Sequence, residues 1–100
     1  MKELGETLRQ LREGKGLLLR QVAADLDMDT ALLSKIERGE RSLKKEQLTK
    51  AADVFGIPPR DLLVVWLADK VSQLLEGEPL ALEALDKCRT QLKKGKANNG

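Results

Sequence analysis

A chain of 100 residues, 41% hydrophobic and 34% charged with three prolines, has the composition of one ordered helical domain rather than of a disordered segment. Its net charge of +2 is too small to demand a polyanionic partner, so where the charge lies matters more than its sum. Histidine is absent and cysteine occurs once, at Cys88, which excludes within one subunit a Cys/His zinc site, a Ser-His-Asp or Cys-His nucleophile and an internal disulfide.

The first element in chain order is a helix in which Leu4, Leu8 and Leu11 recur at helical spacing until Gly14 and Gly16 end it. Leu17 follows as a core plug. Residues 20–39 then carry two short helical patterns, one with Val22, Ala23 and Leu26 on its inner face and one with Leu33 and Ile36. Only Asp27, Met28 and Asp29 separate them, so the two must pack across a corner, and Asp29 is placed to accept the free N–H groups at the start of the second. That is the pattern of a helix-turn-helix. The outer side of the second helix presents Ala31, Ser34, Lys35 and Arg38 at i, i+3, i+4 and i+7, a small, polar and basic face that suits a DNA major groove. Charge follows the same track: from Lys35 to Lys45 five bases face only Glu37 and Glu40. From residue 46 onward the chain holds eight residues of each sign.

Gly39 closes that helix, and residues 40–44 form a charged connection to a fourth helix from about Lys45 to Phe55, with Leu48, Ala51, Ala52 and Phe55 inward. Gly56 stops it, and the Pro58-Pro59 pair starts a fifth helix, proline being tolerated at a first helical position. Residues 62–68 of that helix are apolar on every side and so need cover on every side. A domain of about 60 residues covers only one side, leaving the rest to a sixth helix, a second subunit or both. Gly77 and Pro79 mark the next break, after which Ala81, Leu85, Cys88 and Leu92 repeat at i, i+4, i+7 and i+11, a stripe suited to a helical hairpin or a dimer seam. The basic run Lys87, Arg89, Lys93, Lys94 and Lys96 follows the last acid, Asp86, and residues 95–100 read as a flexible tail. No segment alternates with a period of two, so the fold class expected is all-α.

The chemistry of catalysis is missing from this pattern. No phosphate-binding or dinucleotide glycine fingerprint occurs, and acid pairs such as Asp25 and Asp29 are explained as a solvated face and a cap. No enzyme, catalytic residue, cofactor or metal is expected, and Cys88 reads as a small apolar residue of the last helix. With only Phe55 and Trp66 as aromatics, both in core-like positions, single-stranded nucleic acid is disfavoured. The longest apolar run is far short of the roughly 20 residues a bilayer span needs, and a reducing cytoplasmic setting is the expectation.

Residues 4–63, from LGETLRQLREGKG through QVAADLDMDTALLSKIERGERS to KAADVFGIPPRDLL, resemble the lambda-repressor-like, Cro/C1-type (XRE) helix-turn-helix domain, a five-helix DNA-binding bundle. The most specific elements are Leu-x-x-Leu-Arg in the first helix, Val22-Ala23 and the run from Ser34 to Gly39. A short regulator with an added C-terminal helix is also similar to controller proteins of restriction-modification systems. The resemblance implies a recognition helix over residues 30–38 in the major groove, with base contacts from Thr30, Ala31, Ser34 and Lys35. Phosphate contacts then fall to Arg20, Arg38, Arg41 and Lys44. Arg12 and Glu37 occupy the places of an ion pair tying the first helix to the recognition helix. Four residues depart from the family pattern: Leu18 for the usual Ser or Thr cap, Leu19 for a DNA-contacting Gln, and Leu43 and Lys44 for a Pro-Ser or Pro-Thr entry to the fourth helix. Helix 2 should then lose about 1 kcal/mol of capping unless something compensates. Leu18 and Leu19 are either a lost reader, leaving more to DNA shape, or a small apolar surface that the sixth helix or another protein covers.

The expected architecture is a DNA-binding domain over residues 1–63 and a dimerising helical extension over 64–94, with Leu63, Trp66, Leu67, Leu74, Leu85 and Leu92 at the interface. The expected function is that of a homodimeric regulator of transcription on a palindromic duplex operator. The rival is an antitoxin-like interaction module whose C-terminal helices hold a second protein.

Overall fold

The computed structural model describes the backbone of residues 2–99 and the side chains of residues 2–95. The described residues form six helices, in the order α1 (Lys2–Gly14), α2 (Leu19–Asp25), α3 (Thr30–Glu37), α4 (Lys45–Phe55), α5 (Pro59–Leu75) and α6 (Ala81–Asn99), and no strand. The core is what the periodicity dictates. Leu4 and Leu8, Val22, Ala23 and Leu26, Leu33 and Ile36, and Leu48, Ala51, Ala52 and Phe55 are all buried, joined by Leu43 and Leu62. Leu17 and Leu19 pack against this cluster from its edge. Leu18 is exposed and no described helix covers it, so the sixth helix does not supply the cover one reading of Leu18 and Leu19 required.

Local chemistry sets the helix ends. Asp29 Oδ1 accepts the Leu32 N–H at 2.7 Å and caps α3 as its position requires. Leu18 has no side-chain acceptor to offer α2, but Gln21 Oε1 accepts the Leu18 N–H at 2.8 Å, so one half of the capping arrangement survives and offsets part of the expected loss. Gln47 does the same for Lys44 at the start of α4, also at 2.8 Å. Between α2 and α3 the turn places Asp27 at φ +54°, a left-handed conformation that a short polar side chain tolerates, and its carboxylate is paired with Lys50 of α4. Pro59 stands in the first turn of α5.

Three contacts between distant residues lock the helices together. Asp69 of α5 is buried, and its Oδ2 accepts the Leu4 N–H at 2.7 Å, so α1 is capped by a carboxylate from another helix. Gly5 faces the end of α3 so closely that a Cβ there would lie 2.4 Å from the Ile36 carbonyl oxygen and 2.6 Å from that of Glu37. Trp66 donates its ring N–H to the Leu43 carbonyl at 2.8 Å, pinning α5 to the segment before α4. The Lys70 ammonium sits 4.3 Å from the Trp66 ring centroid.

The fifth helix is covered on one side only. Leu62 is buried, Leu63, Val65 and Trp66 are half-buried against the core of their own chain, and Val64, Leu67, Val71 and Leu74 are exposed. The sixth helix gives no cover: Ala81 is half-buried and every residue from Leu82 to Gly95 is exposed. Its projection shows in the dimensions, a Cα radius of gyration of 15.8 Å against about 13 Å expected for a compact chain of this length. Helical backbone continues to Asn99, through most of the segment read from sequence as a tail, and Gly100 lies outside the described residues. No helix among the described residues is long and apolar enough to cross a membrane.

Candidate nucleic-acid interface

The buried side of α3, Leu33 and Ile36, fixes what its other side shows. Thr30, Ala31 and Lys35 are exposed and Ser34 is half-buried, so the four residues expected to meet base edges share the outward face of one short helix. Arg20 is exposed in the first turn of α2, Arg41 is exposed in the connection after α3, and Lys44 is exposed at the N-terminal cap of α4. No acidic partner holds Arg20, Lys35, Arg41 or Lys44 in a salt bridge among the described residues. A cationic side chain without an internal partner meets a phosphate or base edge with no ion pair to break.

Arg38 is different. It forms the C-terminal cap of α3 rather than part of the helix, and its guanidinium donates to Ser34 Oγ and to Glu40 Oε2, each at 2.6 Å. The hydrogen bond from Arg38, with Lys35 adding to the local positive field, holds the Glu40 carboxyl below the usual carboxylate range. Ser34 and Arg38 are thus joined to each other before any ligand arrives, and because Ser34 Oγ accepts in this bond its O–H remains available to donate.

The ion pair that ties the site to the bundle is present. Arg12 Nε donates to Glu37 Oε2 at 2.8 Å, Nη2 to Oε1 at 3.0 Å, and Nη1 to the Leu17 carbonyl at 2.9 Å. Its hydrogen bond to Glu37 raises the Arg12 pKa above its already high ordinary value, so the guanidinium stays charged. The fork locks the last turn of α3 to α1 and to the segment leading into α2, which sets the angle at which the outward face of α3 is offered.

A cleft of about 820 Å³ runs between α1, the start of α2 and the end of α3, lined among others by Lys2, Arg9, Leu19, Ser34, Arg38 and Glu40. It brings Ser34 and Arg38 together with three bases of α1, Lys2, Arg9 and the Glu37-bound Arg12, while Lys35, Arg41 and Lys44 stand outside it. Lys2 and Arg9 carry no signal in the sequence beyond their charge. Of the expected interface residues, Leu67, Leu74, Leu85 and Leu92 are exposed, whereas Leu63 and Trp66 are engaged within their own subunit.

Fold and outward face together define a helix-turn-helix protein whose second motif helix is presented to solvent. The model of the helix-turn-helix domain family matches residues 3–66, and the chain belongs to that family, with the Cro/C1-type (XRE-like) pattern. It is similar to the HTH-type transcriptional regulator DdrOP3 of Deinococcus deserti, 38% identical over 61% of this chain; the match spans 47% of that regulator, just under half its length. It is similar also to the control protein C.BamHI of Bacillus amyloliquefaciens, 32% identical over 59% of this chain and 74% of that one. Among solved structures, the restriction-modification controller protein C.AhdI from Aeromonas hydrophila superposes with a TM-score of 0.56 at 33% identity, covering 60% of this chain and 91% of that chain.

Proposed function

We propose that the protein is a homodimeric, sequence-specific regulator of transcription that grips duplex DNA with α3 and acts as the controller of a restriction-modification system. One observation carries the reading: Thr30, Ala31 and Lys35 stand free on the outward side of a helix whose other side, Leu33 and Ile36, is sealed in the core. In this reading Lys35 donates to guanine O6 or N7, and Ala31 or the Thr30 methyl meets a thymine methyl. Arg20, Arg38, Arg41 and Lys44 meet phosphates and set the register of the domain without reading sequence. The kinship with C.BamHI and C.AhdI supports the controller role.

Two-fold symmetry follows from the exposed apolar residues Leu67, Leu74, Leu85 and Leu92, which a second copy covers. Symmetric subunits then read an inverted repeat, with half-sites about one helical turn apart. Occupancy depends steeply on concentration because dimerisation and binding are linked. The same exposed residues would serve an antitoxin-like module in holding a different protein; a chain that sediments as a dimer without any partner favours the regulator.

The test is to incubate the full chain with a pool of random duplexes at low ionic strength and sequence what is retained. An inverted repeat with half-sites roughly 10 to 11 base pairs apart is expected. Retention of no duplex, or of duplexes sharing no sequence, overturns the reading.

A further inference from the structure

The α5–α6 corner leaves an open apolar groove of about 770 Å³, lined by Val71, Leu74 and Leu75 on one wall and Leu85, Cys88 and Leu92 on the other. That is roughly the volume of two turns of an α-helix with its side chains. No described residue fills it: Leu74 and Leu92 are 79% and 74% exposed, and α6 has no described side chain buried. A helix that buries nothing is marginal by itself in water, so α6 as a stable element requires a partner along its apolar stripe.

The pattern along α6 names that partner. The stripe Ala81, Leu85, Cys88 and Leu92 is symmetric about a point between residues 86 and 87, since reversing the chain about that point exchanges Ala81 with Leu92 and Leu85 with Cys88. Charge changes sign at the same point. Glu76, Glu78, Glu83 and Asp86 precede it with no base after Lys70, and Lys87, Arg89, Lys93 and Lys94 follow it with no acid. A segment with its apolar stripe and its charge both centred on one point is complementary to a second copy of itself running the other way. Most of these charges lie off the stripe, so they act half against half rather than as paired residues. Antiparallel alignment opposes the two helix dipoles and sets each acidic half against a basic half; parallel alignment sets like against like.

We infer that α6 of a second copy lies antiparallel on α6 in this groove, centred between residues 86 and 87, and closes a four-helix bundle with the two α5 ends. The inference rests on the homodimer of the proposed function and deepens it by fixing the partner, its direction and its register. Leu67, Leu74, Leu85 and Leu92 then lose their exposure together, and Cys88 of each chain stands beside Leu85 of the other.

Disulfide trapping tests this with the full chain in a Cys88→Ser background. Ala81→Cys and Leu92→Cys chains, one isotopically labelled, are oxidised each alone and, in a second sample, after mixing in the reduced state, and the products are weighed by mass spectrometry. Antiparallel pairing yields the mixed disulfide at least tenfold above either like-with-like product, because the two positions meet across the two-fold axis while each stands about 16 Å from its own copy. Like-with-like products in excess show a parallel pair and overturn the inference. Dimers by sedimentation that give no disulfide overturn it while leaving the homodimer standing, and monomers at every concentration overturn both. A second variant needs no oxidation: Lys93→Gln with Lys94→Gln removes base facing acid and should raise the dimer dissociation constant severalfold at low salt, an effect that fades near 0.5 M salt. A tighter dimer for that variant identifies base facing base and contradicts antiparallel pairing, and an unchanged one contradicts the assigned charge contact.

Discussion

Glu37→Ala removes the carboxylate that two of the three bonded Arg12 donors need. In the native protein Arg12 and Glu37 side chains are 13% and 7% exposed, and the fork distances are 2.8 and 3.0 Å, so the guanidinium that remains is largely out of water with only the Leu17 carbonyl to accept from it. Breaking a fully buried pair costs about 3 to 5 kcal/mol. Water reaching the Arg12 edge reduces this to about 2 to 4 kcal/mol, which for a chain of this size lowers the midpoint of thermal unfolding by roughly 10 to 25 °C. Arg12→Met combined with Glu37→Leu should cost far less, about 1 to 2 kcal/mol, because no charge is stranded and only the Leu17 carbonyl loses its donor. Urea unfolding followed by circular dichroism at one fixed protein concentration measures Glu37→Ala and the four corners of the cycle, wild type, Arg12→Met, Glu37→Leu and the double, the fixed concentration keeping self-association from entering the comparison. A loss below about 0.5 kcal/mol for Glu37→Ala, or a double variant as damaged as the sum of the singles, refutes the reasoning.

Gly5→Ala forces a methyl group against the Ile36 and Glu37 carbonyls, where relief comes only by moving α1 off α3; about 1 to 3 kcal/mol of stability should be lost, and a thermal midpoint equal to wild type would show that the close approach does not exist. Asp69→Ala leaves the Leu4 N–H without its acceptor and should cost about 1 to 2 kcal/mol, with amide exchange rising first in residues 2–6; unchanged protection there argues against the α5-to-α1 cap. Trp66→Phe keeps most of the packing but orphans the Leu43 carbonyl, so it should destabilise by about 1 kcal/mol and leave the sedimentation coefficient unchanged; a shift to monomer would place Trp66 at the interface rather than inside its own subunit.

What the sequence discloses and what it hides divide along one line. The α3 cap at Asp29, the inward faces of α2 to α4 and the proline-initiated start of α5 are local properties, in which a residue and its consequence lie within one or two helical turns. The Arg12–Glu37 fork is legible because a family pattern places both residues. Asp69, Gly5 and Trp66 are not legible: each acts through a partner more than 20 residues away, and periodicity reports which face a residue occupies, never which carbonyl or N–H waits opposite. Asp69 in particular reads as one of four charges on α5, next to Lys70, with nothing to single it out. The apolar belt of α5 was also only half-resolved by pattern, since the demand for cover is visible at residues 62–68 but the division between Leu62, Leu63, Val65 and Trp66 inside and Val64 and Leu67 outside depends on how α1 and α4 dock. Leu18 shows a compensation that single-residue reading misses, a poor cap partly relieved by Gln21 three positions on.

The central claim, that the outward face of α3 reads base pairs while the surrounding bases hold phosphates, is tested most directly by comparing Lys35→Ala and Arg41→Ala on a selected operator duplex and on random duplex across a salt series. Lys35→Ala should lose about 1 to 3 kcal/mol on the operator and little on random DNA, with relaxed preference at one base pair. Arg41→Ala should weaken both duplexes alike and lower the slope of log affinity against log salt by about one. Equal losses on the two duplexes for Lys35→Ala would contradict the account.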